Sequence, residues 1–203
     1  MKSYVWVPLI AIVAAPAYAQ QVDNRSPDAM VKGTIESVMA SIKADPAAQA
    51  GDLDKIAILV QQKFVPATDF LLTTQYAVGK PWAGATPAQQ KALFEQFQTL
   101  LVHTYAAELN QIRDQGVQFK FSGPQALPSG VTDAVVKTVV INNGDTMNID
   151  YRVTKTAAGW KIYDINMMGA WLIGVYRQQF AEQIAKGGLD GLVKFLAEHN
   201  AAD

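Results

Sequence analysis

From Ser26 onward the apolar positions recur at three- and four-residue steps, and each run is bounded by capping residues, glycine or proline. Ser26-Pro27-Asp28 offers a cap, a proline at the first helical position and an acid in the first turn. Val31, Ile35, Val38 and Ile42 then share a face until Asp45-Pro46 stops the run. Asp52 opens a second helix with Leu53, Ile56, Val60 and Phe64 on one side, ended by Val65-Pro66. Thr68 is the expected cap of a third helix over residues 69–78, closed by Gly79. A fourth starts at Thr86-Pro87-Ala88-Gln89, a capping-box pattern, and carries Phe94, Phe97, Leu101 and Tyr105 to about Arg113.

Beyond Gly116 the period falls to two. Val117, Phe119 and Phe121 alternate with Gln118, Lys120 and Ser122, which predicts a half-buried strand. Residues 134–141 predict a second strand, apolar on both sides, and Asn142-Asn143-Gly144-Asp145 predicts a tight turn. A third strand carries Met147, Ile149, Tyr151 and Val153 on one face, and Ala158-Gly159 turns into a fourth over 160–166. Two helices follow, one with Leu172, Tyr176, Phe180 and Ile184, the other with Leu189, Leu192, Val193 and Leu196 beyond Gly187-Gly188. Helices, an antiparallel run of strands and helices again predict an α+β fold, one curved antiparallel sheet covered by a helical layer. Which sheet face turns inward is left open by the two-sided second strand.

The first residues read differently. Lys2 precedes an apolar stretch over residues 5–15, and Ala17-Tyr18-Ala19 gives the small-x-small pattern of a signal peptide cleaved before Gln20. Half of the roughly 20 residues a membrane span needs, interrupted by Pro8 and Pro16, this run is too short to be an anchor. The chain has no cysteine, which excludes a lipoprotein, a disulfide framework, a thiolate metal site and a cysteine nucleophile. The expected product is exported to the periplasm, with residues 20–203 as one domain. Cleavage removes one lysine and no acid and takes the formal charge from −1 to −2, too acidic for general nucleic-acid binding.

Catalytic chemistry is sparse. His103 and His199 have no second histidine at a ligand spacing, so no metal is expected. No G-x-S-x-G elbow is present, and the glycines at 79 and 187–188 lack the lysine of a phosphate loop. Asp69, Asp150 and Asp164 lie near or among apolar residues, and a carboxylate in an apolar pocket can act as a general base. Large apolar side chains are in excess on both helices and strands. They suit an ordinary core and the lining of an apolar cavity equally well.

The segment from the third strand onward resembles the MlaC family of periplasmic proteins, also known as toluene-tolerance auxiliary proteins. It reads N-I-D-Y-R-V (148–153), G-W-K-I-Y-D-I (159–165), M-M-G-A-W-L-I-G-V-Y-R-Q-Q-F (167–180) and G-L-D-G-L-V-K-F-L (188–196). Upstream, Trp82 and the Thr86-Pro87-Ala88-Gln89-Gln90 helix start are similar to the family's central region. Where the family usually has Glu-Gly-Val-Ser, this chain has Met168-Gly169-Ala170-Trp171, which suggests a more apolar cavity mouth.

The resemblance implies a cone-shaped sheet like that of nuclear transport factors, with a helical subdomain around an apolar cavity. It implies a carrier of a diacyl glycerophospholipid, not an enzyme, with no cofactor. Its partners would be an outer-membrane lipoprotein–porin complex and an inner-membrane ABC transporter with its substrate-binding subunit, and a shuttle of this kind is expected to be a monomer. The residues expected to enclose the tails are, on the helices, Phe70, Trp82, Phe94, Phe97, Leu101, Tyr105, Ile173, Tyr176 and Phe180. On and beside the sheet they are Val139, Ile149, Tyr151, Trp160, Ile162, Met167 and Trp171. Arg152 or Arg177 could lie near the headgroup. Two other classes compete: an enzyme using Asp164 or Asp69 as base on a hydrophobic substrate, and a binding module with a filled core. Asp164 paired with an arginine would count against the first, and a cavity of several hundred Å³ against the second.

Overall fold

The computed structural model describes residues 26–112, 116–122, 130–142 and 144–201. The predicted signal peptide and the centre of the 142–145 turn lie outside these residues. Among the described residues five α-helices precede the sheet and one long α-helix follows it: α1 (Pro27–Ala44), α2 (Pro46–Gln49), α3 (Leu53–Lys63), α4 (Phe70–Val78), α5 (Pro87–Ile112) and α6 (Leu172–Asn200). Between them lie β1 (Gln118–Phe121), β2 (Asp133–Asn142), β3 (Asp145–Thr156), β4 (Gly159–Met167) and β5 (Ala170–Trp171). The strands form one antiparallel sheet in chain order. This is the expected α+β architecture.

The helix starts are set by local chemistry. Ser26 accepts from the Ala29 amide and Asp52 from that of Lys55, satisfying donors that have no partner inside the helix. At α5 the capping box closes in both directions: the Thr86 hydroxyl accepts from the Gln89 amide at 3.2 Å, and the Gln89 side chain accepts from the Thr86 amide at 2.9 Å. The cap of α4 differs from expectation by one residue. Asp69, not Thr68, accepts from Leu72 at 3.0 Å, while the Thr68 hydroxyl donates to the Val65 carbonyl. Asp45-Pro46 ends α1 and also begins the short α2, because the Asp45 carboxylate accepts from two amides ahead of it. α6 breaks at Gly187 and Gly188; the latter has φ 65°, a conformation glycine adopts without strain.

Sheet register settles which face turns inward. Val136 pairs with Tyr151, Thr138 with Ile149 and Val140 with Met147, and this face packs on α1. Between Arg152 and Val153 the β3–β4 register shifts, with Tyr163 as the extra residue. The shift changes the parity of β4: Trp160 and Ile162 lie on the inner face before it, Ile165 and Met167 after it. Asp164 is thereby placed opposite Arg152.

The buried residues form three groups: the sheet face with Met30 and Val31; α1, α2, α3 and the end of α5; and α4, the start of α5 and α6. α5 contributes to two of them, through Leu93, Phe97, Leu100 and Leu101 on one side and Val102 and Ala106 on another. No helix among the described residues is long and apolar enough to cross a membrane.

Candidate binding cleft

Between the inner sheet face and helices α1, α3 and α5 lies a cleft of about 820 Å³, part of it continuous with solvent. Ile35, Val38 and Met39 line it from α1, Val60 and Phe64 from α3 and its end, and Tyr105, Glu108 and Leu109 from α5. The sheet contributes Phe119, Val140, Met147, Ile149, Tyr151, Ile165 and Met167. Glu108 is the one charged residue in this lining, and it is exposed. Ile35, Met39, Phe64, Leu109, Phe119, Met147, Ile165 and Met167 face one another yet keep part of their surface accessible. In a close-packed interior such side chains would interdigitate. Here they stop short of each other, so the gap between the layers is unfilled.

A second, narrow pocket of about 450 Å³, open solvent included, adjoins the first between α4, α5 and β4, lined by Phe70, Thr73, Leu101, Val102, Ile162 and Leu172 among others. Val60, Phe64, Tyr105 and Ile165 line both, so they stand at the junction. A surface depression bounded by Asp69, Phe94, Gln98 and Lys161 continues from the second chamber through Val65, Thr68 and Phe70. Lys161 donates to the carbonyl of Pro66 there.

The expected lining residues separate into groups. Tyr105, Ile149, Tyr151 and Met167 line the main cleft, Phe70, Leu101, Tyr105 and Ile162 the second chamber, and Phe94 the depression. The other expected positions do not border these spaces. Phe97 and Phe180 are fully buried with their rings 4.9 Å apart, packed with Tyr176 between α4, α5 and α6. Trp82 packs against the same helical core. Trp160 is buried in the sheet-side core, and Val139 alternates onto the opposite sheet face from Val140. Trp171 lies 3.9 Å beneath the Arg152 guanidinium, and the buried Ile173 donates its amide to Asp164. Met168 lies 78% exposed in the two-residue turn joining β4 and β5, with φ 51°.

Residues of α1 and α3 line the cleft without having been singled out for it. Their apolar spacing was visible, but a lining residue and a core residue have the same spacing.

The carboxylates are engaged in structure. Asp164 is almost fully buried; its Oδ2 pairs with Arg152 at 3.0 Å, and its Oδ1 accepts from the amides of Ile165 and Ile173. Burial nevertheless pushes its pKa above the usual carboxylate range, against the lowering effect of those bonds. Asp69 caps α4, and Asp150 is within reach of the Asn166 amide. Arg177 donates to the carbonyl of Tyr76, on the helical side away from the sheet face. Among the described residues, no group of three histidine, aspartate or glutamate side chains could hold a metal ion.

Three tyrosines in and beside the cleft have pKa values raised chiefly by burial: Tyr105, Tyr151 and Tyr176. The neighbouring Thr138 hydroxyl at Tyr151 and Thr104 hydroxyl at Tyr176 act in the opposite direction.

Comparison with known proteins agrees with this architecture. A phospholipid-binding protein from Ralstonia solanacearum, solved in complex with a phospholipid, superposes with a TM-score of 0.79 at 46% sequence identity. The match covers 87% of this chain and 98% of the other. A toluene tolerance protein from Pseudomonas putida is 22% identical over 188 residues, 90% of this chain and 83% of its own. The profile of the MlaC protein family matches residues 32–198, nearly all of the described fold. The chain therefore belongs to the MlaC family.

Proposed function

We propose that this protein binds a diacyl glycerophospholipid with its tails in the cleft and carries it through the periplasm. The observation that carries this reading is the gap between two facing apolar layers, lined almost wholly by hydrocarbon. The phospholipid bound by the Ralstonia solanacearum relative, which shares nearly half its residues with this chain, supports the same ligand class.

The energetics explain why such a site needs so little polar chemistry. At roughly 0.8 kcal/mol per buried methylene, two tails with about 30 methylenes would cost on the order of 24 kcal/mol to expose to water. A carrier hides the tails and leaves the charged head in solvent, which avoids burying a phosphate. The finer reading is a shuttle, exported with its signal peptide removed after Ala19. It would pass lipid between an outer-membrane lipoprotein–porin complex and an inner-membrane ABC transporter, maintaining outer-membrane lipid asymmetry. Supporting carriage over catalysis, Asp164 and Asp69, the two candidate bases, are both held by structural bonds.

The test is lipid uptake. Delipidated protein is incubated with vesicles of phosphatidylethanolamine and phosphatidylglycerol, separated from them, and assayed for lipid phosphate. The expected result is about one lipid per protein, and Ile149→Glu, which puts a charge against the tails, loses it. Absence of uptake by the folded wild type contradicts the reading.

A further inference from the structure

Three of the five methionines among the described residues line the cleft: Met39 from α1, Met147 from β3 and Met167 from β4. The two on the sheet share its inner face, since Met167 pairs with Ile149, two residues along β3 from Met147. All three keep part of their surface accessible beside a space that is continuous with solvent. The other two methionines mark the extremes. Met30 is 1% exposed in the core beneath the sheet, and Met168 is 78% exposed on the β4–β5 turn, outside the cleft lining.

Thioethers suit such a lining, because an unbranched, polarisable side chain repacks around tails of different shape. In a chain without cysteine the same sulfurs are also the groups most open to two-electron oxidation. The sulfur lone pair attacks one oxygen of a peroxide, the O–O bond breaks and an S–O bond forms. The proton of the transferred oxygen moves to the leaving oxygen, which departs from hydrogen peroxide as water; the sulfur is oxidised and the peroxide reduced. The sulfoxide is polar, and hydrocarbon offers it no hydrogen-bond donor, so packing it against a tail is unfavourable. A tail that fills the cleft covers the three sulfurs and shuts the peroxide out.

We propose that Met39, Met147 and Met167 form an oxidation site guarded by the cargo. It is open to peroxides in the empty carrier and closed in the loaded one, and its sulfoxides block the entry of tails. This rests on the lipid-carrier reading and adds to it a reversible redox control of the same cleft.

The experiment treats the purified protein with hydrogen peroxide, either delipidated or loaded from vesicles of phosphatidylethanolamine and phosphatidylglycerol, and maps sulfoxides by peptide mass spectrometry. Loading should slow oxidation of the three cleft methionines by at least about fivefold, while Met168 reacts equally in both states and Met30 in neither. Met168→Leu removes the outer site; after peroxide treatment of the empty form this variant should lose at least about tenfold in lipid uptake. Methionine sulfoxide reductases of both epimer specificities, supplied with a thiol reductant, should restore it. Equal rates at the three sites with and without lipid, undiminished uptake by the oxidised variant, or failure of the reductases to restore uptake overturns the proposal while leaving lipid carriage intact. Oxidation of Met30 alongside the three also overturns it, since the fold and not the cleft would then have opened. Untreated protein that takes up no lipid overturns both.

Discussion

Arg152 and Asp164 face each other across β3 and β4 immediately beside the register shift, 3.0 Å apart, with the Trp171 ring against the other side of the guanidinium. Asp164 also accepts the amide of Ile173 from the first turn of α6, so this carboxylate ties the sheet to the helix that closes the fold. Were β4 to alternate regularly without the register shift, Asp164 would share the inner face with Ile162, among the apolar residues. The shift instead gives that face Ile165 and Met167, both of which line the cleft.

Asp164→Ala should destabilise the protein by about 3 kcal/mol, since it orphans two amides and removes the partner of Arg152. Asp164→Asn keeps an oxygen for the amides and should cost about half as much. Arg152 is partly exposed and can be hydrated, and burial disfavours the charge on Asp164 in the first place. Denaturant unfolding of the two variants checks the order; equal losses would mean that the ion pair, not the capping of amides, dominates.

Alkaline pH should unfold the protein through its buried phenols. Tyr105 and Tyr151 have raised pKa values in the fold, so each holds its proton when the unfolded chain has lost it. Their contribution is fully present below the ordinary tyrosine value near pH 10 and is lost above it, by up to about 1.4 kcal/mol per pH unit for each tyrosine. Unfolding midpoints measured between pH 8 and 12 should be level and then fall. The double variant Tyr105→Phe with Tyr151→Phe should fall less steeply; an identical slope would show that these phenols ionise within the fold.

Phe97 and Met39 should separate stability from binding. Phe97 is fully buried between helices, and Phe97→Ala should cost about 3–5 kcal/mol while the molecules that remain folded still take up lipid. Met39 lines the cleft and is only partly buried, so Met39→Trp should leave the melting temperature nearly unchanged and reduce uptake of long-tailed lipids. Lipid phosphate per folded protein, with thermal unfolding alongside, is the measurement. The opposite assignment of effects would exchange the roles given to the two residues.

Removing the α5 cap should have a local and modest effect. Thr86→Ala removes the hydroxyl that accepts from the Gln89 amide, leaving the arm from the Thr86 amide to the Gln89 side chain, and should cost about 1 kcal/mol. A loss well below that in thermal unfolding would show that tertiary packing alone fixes where α5 begins.

These contrasts mark what was legible in the sequence. Ser26, Asp52 and Thr86 announced their helices because capping is local chemistry, as did the alternation of Met147, Ile149, Tyr151 and Val153. The two-residue β5 and the extra residue at Tyr163 carry no comparable signal, since each depends on contacts with β4, α4 and α6. The lining was half legible for a related reason. α5 is apolar on several sides, and only the positions of α3, α6 and the sheet decide that Phe97 is core while Tyr105 borders a cavity. Whether facing apolar layers meet or stop short is a property of distances, which spacing along a chain does not encode.

The account depends most on that gap being occupied by a lipid in the cell. Native mass spectrometry of the protein, exported by bacteria and purified without detergent, addresses this directly. The account predicts an adduct whose mass and fragmentation are those of a glycerophospholipid, released on denaturation. Protein that arrives empty, and stays empty after exposure to membranes, would contradict it.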